Sequence, residues 1–106
     1  DNGNHFAGRD SISGLGSHPQ LTTLSNGNIV VVWDEQIQQQ NKFYKRIGIQ
    51  KRNAGGQSEG TAYISVDTGM ATYPVITSLQ KNATLIAWLQ KKGEKNFISY
   101  QHIDLN

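Results

Sequence analysis

Two stretches of this chain are close copies of each other. "HPQLTTLSNGNIVVVWDE" begins at His18 and "YPVITSLQKNATLIAWLQ" begins at Tyr73. Sliding the sequence by 55 residues sets Pro19 on Pro74, Leu21 on Ile76, Leu24 on Leu79 and Trp33 on Trp88. Ile29 falls on Leu85 with one residue of slack. A repeat of this length is the signature of an array of similar supersecondary units, and it limits the fold more than any single motif. The copies continue past the tryptophans at an offset of 51, where Ile47 meets Ile98, Ile49 meets Tyr100 and Gln50 meets Gln101. The offset falls because the first copy carries the polar insert "QIQQQNKFY", whose variable length predicts a loop. A shorter correspondence lies upstream at an offset of 52, where Ile12 meets Ile64 and Ser13 meets Ser65.

The repeated segments read as β-strands. "NIVVVW" is β-branched and aromatic, with apolar residues at adjacent positions, so both of its faces should be buried. "TLIAWL" reads the same way, and "SNG" and "QKN" precede the two segments as tight turns. "NAGGQSEG" is a further turn before the strand "TAYISV". No window has a helical period with caps. Each copy therefore contains about four antiparallel strands in some 50 residues, the content of one β-propeller blade. A β-sandwich of seven or eight strands is the alternative. On the propeller reading, residues 1–17 form a tail and an outer strand near residues 9–13. Residues 18–67 form the first blade, and residues 73–106 a second blade without its own outer strand. Two blades leave apolar faces and a sheet edge uncovered. The expected partners are copies of the chain in a head-to-tail ring, or the remaining blades of a larger protein. The first residue is Asp1, which is expected of a processed chain or a fragment.

With this order of motifs, the chain resembles the sialidase-like superfamily, also called BNR-repeat or Asp-box propellers. Its blades often read Pro-x-(Ile/Leu)-x-x-Leu-x-(Asp/Asn)-Gly-x-(Leu/Ile)-x-x-x-Trp. "PQLTTLSNGNIVVVW" matches this, and "PVITSLQKNATLIAW" matches it with Lys81 and Asn82 in the turn. The family's Asp box, Ser-x-Asp-x-Gly-x-Thr-Trp, is reduced in "KRNAGGQS" to Asn53 and Gly55. "SVDTGMATY" looks like an Asp box with one residue inserted, but it lies between the wrong strands. The resemblance implies a propeller fold and leans away from an enzyme. Sialidases place an arginine two residues before the proline, where a planar bidentate donor holds the sugar carboxylate. Those positions here are Ser17 and Thr72, and Arg9, Arg46 and Arg52 match none of the family's motifs.

Two functions follow as expectations. The first is a non-catalytic binding or interaction module for a protein or carbohydrate partner. The second is a fragment or subunit of a sialidase-like glycoside hydrolase whose catalytic residues lie outside this chain. Ligands of propellers usually sit on the face formed by the outer-to-inner and second-to-third connections. That face selects His18, Asp34, Glu35, Tyr73, Lys91 and Lys92 as candidate ligand-binding residues, since an aromatic ring beside charged groups suits a sugar or an acidic ligand. The competing reading makes His18 and Tyr73 packing residues and the charged side chains solvated loop groups.

Composition narrows the classes further. The chain has 106 residues and no cysteine, so one domain is expected, without disulfides or thiolate metal sites. A domain of this size buries only about 65% of its unfolded surface, so an added partner would help it. The formal charge is +2, less lopsided than most nucleic-acid binders. The basic run around Phe43 and Tyr44 reads as a solubilising strand and loop. His5, His18 and His102 are dispersed, and no metal or other cofactor is expected. "DNGNH" has oxygen donors without a calcium-loop pattern. The longest apolar run, Ile29 to Trp33, is far short of the roughly 20 residues that span a bilayer. The abundance of Asn, Gln, Ser, Thr and Gly suggests a secreted or periplasmic β protein.

Overall fold

The computed structural model of the protein describes residues 11–64 and 69–105. Seven strands follow in order: β1 (Gly16–Thr23), β2 (Ile29–Gln39), β3 (Lys42–Arg52), β4 (Ser58–Ile64), β5 (Met70–Ser78), β6 (Ala83–Lys92) and β7 (Lys95–Asp104). A single 3₁₀ turn at Gln80–Asn82 precedes β6, and the described residues contain no α-helix. The chain is all-β, and its strands form one open sheet in the order β1-β2-β3-β5-β6-β7, with β4 on the far edge of β3. The sheet is hinged in the middle. β3 and β5 share one parallel bridge, Lys45 with Met70, whereas every other pairing is an antiparallel ladder.

The sequence repeat is reproduced in the register. β1 pairs Gln20 with Val32 and Leu21 with Val31, and β5 pairs Val75 with Ala87 and Ile76 with Ile86. Both hairpins carry the same irregularity, between Ser17 and Gln20 in the first and between Thr72 and Val75 in the second. The turns match as well. Leu24 N–H donates to the Asn28 carbonyl at 2.8 Å, and Leu79 N–H donates to the Ala83 carbonyl at 2.8 Å. Third strands follow suit, with Trp33 opposite Gly48 and Trp88 opposite Ser99.

Side-chain alternation then decides what meets what. Val30, Val32, Ile47 and Ile49 share one face of the first ladder, because Val32 lies opposite Ile49 and Asp34 opposite Ile47. Ile76, Ile86 and Trp88 share one face of the second. These two faces form the core, joined by Leu24, Ile64 and Ala71. The residues from Val30 through Glu35 are buried on both faces, as the doubly apolar run predicts. Trp33 turns away from the shared core and lies flat across Gly48, where a β-carbon would come within 2.4 Å of its ring.

One expectation is corrected. The insert "QIQQQNKFY" forms no long loop. β2 and β3 extend through it, pairing Ile37 with Tyr44 and Gln38 with Phe43. Gln40 and Asn41 turn the chain with φ of 51° and 66°, and two consecutive left-handed residues match the twist of the flanking strands. Of the outer strand expected near residues 9–13, residues 9 and 10 lie outside the described residues, and residues 11–13 are irregular. Of the Asp-box-like stretch, residues 65–68 lie outside the described residues too. The reduced box in the first copy does form an ordered turn. Asn53 Oδ1 accepts from the N–H groups of Gly55 at 2.9 Å and Gln57 at 3.0 Å, bracing the β3–β4 hairpin.

Candidate functional site

The repeated hairpin irregularity has an unusual residue at its centre. His18 and Tyr73 have φ of 55° and 54°, and each precedes a proline. A left-handed residue with a side chain costs energy, and a following proline adds steric restriction. Such strain persists only where surrounding contacts enforce it, and it gathers at functional positions. Here the enforcing group is Asp34, whose side chain is fully buried. Its Oδ2 accepts from His18 Nδ1 at 2.8 Å and from the backbone N–H of Tyr73 at 2.9 Å. Its Oδ1 has no hydrogen-bond partner but lies 3.6 Å from Lys45 Nζ, an ionic contact with little water around it. One carboxylate from β2 thus holds the first ladder's bulge, the second ladder's bulge and β3.

Pinned in this way, the two rings stack with centroids 4.1 Å apart and planes tilted by 37°. Beside them a shallow groove of about 220 Å³ is lined by His18, Pro19, Gln20, Tyr73, Pro74 and Val75. Tyr73 and Val75 also line an open apolar trough of about 340 Å³ with Ala87, Trp88, Leu89 and Ile98. The surface is therefore mostly apolar, with the exposed phenol ring of Tyr73 where groove and trough meet. At the opposite ends of β1 and β5 the ladders meet again, where Ser25 Oγ donates to Asn82 Oδ1 at 2.7 Å.

Of the six candidate residues, the structure brings together His18, Asp34 and Tyr73. Glu35 belongs elsewhere, because neighbouring residues of a strand point to opposite faces. It is buried beside Trp33, whose Nε1 donates to Oε1 at 2.7 Å. Arg46 donates to Oε2 from Nε at 3.2 Å and Nη2 at 2.8 Å, and its guanidinium lies 3.6 Å from the centre of the Tyr63 ring. Burial pushes the Glu35 carboxyl up. That push is outweighed by the hydrogen bonds from Trp33 and Arg46, the charge of Arg46 and the Ser13 hydroxyl, and the carboxyl is held below its ordinary value of 4.5. The second copy keeps this arrangement in neutral form, with Trp88 Nε1 donating to Gln90 Oε1 at 3.0 Å. Trp-x-Glu and Trp-x-Gln are thus equivalent braces.

Lys91 and Lys92 end β6 in exposed positions, with Lys91 opposite Met70 and Asn96. The lysine that reaches the cluster is Lys45, which the sequence reading passed over. The signal was present in the hairpin. Once Gln40 and Asn41 are the turn, Ile47 stands opposite Asp34, and Lys45, two residues earlier, projects from the same face.

The Asp34 carboxylate orients the His18 imidazole, and the Tyr73 phenol ring stacks on it. No three His, Cys, Asp or Glu side chains converge among them. No described helix is long and apolar enough to cross a membrane. Compared with family models, curated proteins and solved structures, the chain has no match.

Proposed function

We propose that the chain is a non-catalytic binding module of the β-propeller type, related to the sialidase-like propellers, in which each antiparallel ladder is one blade. The supporting observation is the exact-offset recurrence of the bulge, which sets His18 beside Tyr73 where the two inner strands β1 and β5 run together. The ligand lies in the groove between the bulges and is a carbohydrate. The phenol ring of Tyr73 stacks on the apolar face of a sugar, and His18 and Gln20 meet its hydroxyl groups. The remaining sheet surfaces are covered by further blades, from copies of this chain or from the rest of a larger protein. The module works in a secreted or periplasmic setting.

The test is titration of the folded chain with a panel of neutral and acidic oligosaccharides, followed by amide chemical shifts. Binding should perturb residues 18–20 and 73–75 and should weaken at least tenfold in Tyr73→Ala, whose ring is exposed and whose loss spares the core. A panel without one binder, or binding indifferent to Tyr73→Ala, rejects the carbohydrate groove.

A further inference from the structure

The two ladders are equivalent except at one edge. In the first, β3 is flanked by β2 on one side and β4 on the other, with Ile47 opposite Ile64, Gly48 opposite Tyr63, Ile49 opposite Ala62 and Gln50 opposite Thr61. In the second, β7 takes the place of β3 at an offset of 51 and pairs with β6 along its whole length. Among the described residues no strand lies on its other side. Residues 98–101 therefore present the backbone edge that residues 47–50 fill with β4. Ile98 and Tyr100 are 69% and 75% exposed, whereas their counterparts Ile47 and Ile49 are buried.

An open edge of this kind is a template for one more strand. The chain contains a segment that resembles β4. At an offset of 52, β4 aligns with the N-terminal residues: Gly60 with Gly8, Ile64 with Ile12 and Ser65 with Ser13. We infer that residues 6–12 of a second copy of this chain pair with β7 as its fourth strand, antiparallel, with Ile12 opposite Ile98. The inference rests on the reading of the ladders as equivalent blades and adds the register and the partner.

The connection that follows is long enough. In the first ladder Ile64 lies opposite Ile47 and Met70 opposite Lys45, two residues along β3 or about 7 Å. The counterpart of Met70 is Leu15. Leu15 is three steps along the chain from Ile12, and those steps reach roughly 10 Å when extended. The second copy can therefore donate its N-terminal strand to β7 while its own β1 starts at Gly16. Ile12 would then stand beside Ile98 on the face that carries Tyr100, Ala87 and Val75, as Ile64 stands beside Ile47 in the core. One donation per interface is directional, so the association runs head to tail.

Light scattering across a concentration series, combined with amide hydrogen exchange, tests this on the whole chain. The mass should rise above the 11.7 kDa of one chain, and outer-edge amides within residues 98–101 should gain about 100-fold in protection as it does. Deletion of residues 1–10 should return the mass to one chain and remove that protection, while residues 30–34 stay protected and report an intact fold. A peptide of residues 5–13 added to the truncated chain should restore protection at 98–101, and a scrambled peptide should not. Assembly that survives the deletion overturns the strand donation but leaves association through sheet faces standing. A single-chain mass at every concentration overturns both the donation and the copy as partner. Neither result touches the carbohydrate groove, which is read separately by Tyr73→Ala.

Discussion

Asp34 ties three elements together with one carboxylate, and its removal strands the groups it serves. In Asp34→Ala the His18 imidazole, the Tyr73 amide and the Lys45 ammonium lose their common acceptor. The expected loss is about 3–5 kcal/mol, as when one partner of a buried charge pair is deleted. Asp34→Asn keeps an acceptor oxygen for Tyr73, and should cost about 1–2 kcal/mol less than the alanine variant. Urea denaturation of both measures the difference, and an alanine variant as stable as the parent would remove Asp34 from its role as a tie. Glu35 predicts a pH effect. Its folded-state pKa lies below 4.5, so it stabilises the fold fully above that pH and loses this contribution as the pH falls through the lowered value. Thermal melts between neutrality and pH 3 should therefore show a steeper acid decline in the parent than in Glu35→Gln. Parallel curves would mean that the carboxylate is not held by Trp33 and Arg46 in solution.

At the level of strands, the most sensitive points are where a tryptophan crosses its neighbour. Trp33→Ala and Trp88→Ala should each cost about 3–5 kcal/mol, since both rings are buried and leave a cavity. Gly48→Ala places a methyl group against the Trp33 ring and should cost about 1–3 kcal/mol through overpacking. Ser99, opposite Trp88, tolerates alanine by the same comparison. Differential melting temperatures rank the four, and a harmless Gly48→Ala would show that the ring has room to move. The repeat made most strands legible, because apolar residues on successive positions of β2 and β6 demand cover on both sides. It hid the length of the β2–β3 hairpin, because glutamine-rich sequence looks like loop until Gln40 and Asn41 are read as a left-handed pair. The same oversight concealed Lys45. Asp34 and Glu35 were separable by alternation alone, yet adjacency in sequence made them look like one acidic pair. The repeat alone sets Lys91 and Lys92 in a connection, whereas strand pairing carries them along β6.

At the scale of the whole molecule, stability depends on the second ladder lying against the first. Residues 69–106 alone would expose Ile86, Trp88 and Ala71 to water, and a three-stranded sheet without a covered face is marginal. That peptide should give the narrow amide spectrum of an unfolded chain, and a dispersed spectrum would show that a ladder is self-sufficient. The internal repeat forecast this dependence and the uncovered surfaces around Tyr100 and Ile98. It could not reveal the clasp at the junction, since nothing in a 55-residue offset says that a buried aspartate of one unit will grip the backbone of the next.

The paired bulges have one more consequence. His18 and Tyr73 occupy the same step of their units, and the depression between them exists only because two units stand side by side. Gene duplication of such a unit copies half of the depression together with its framework. Every new junction then sets a fresh pair of pre-proline residues side by side.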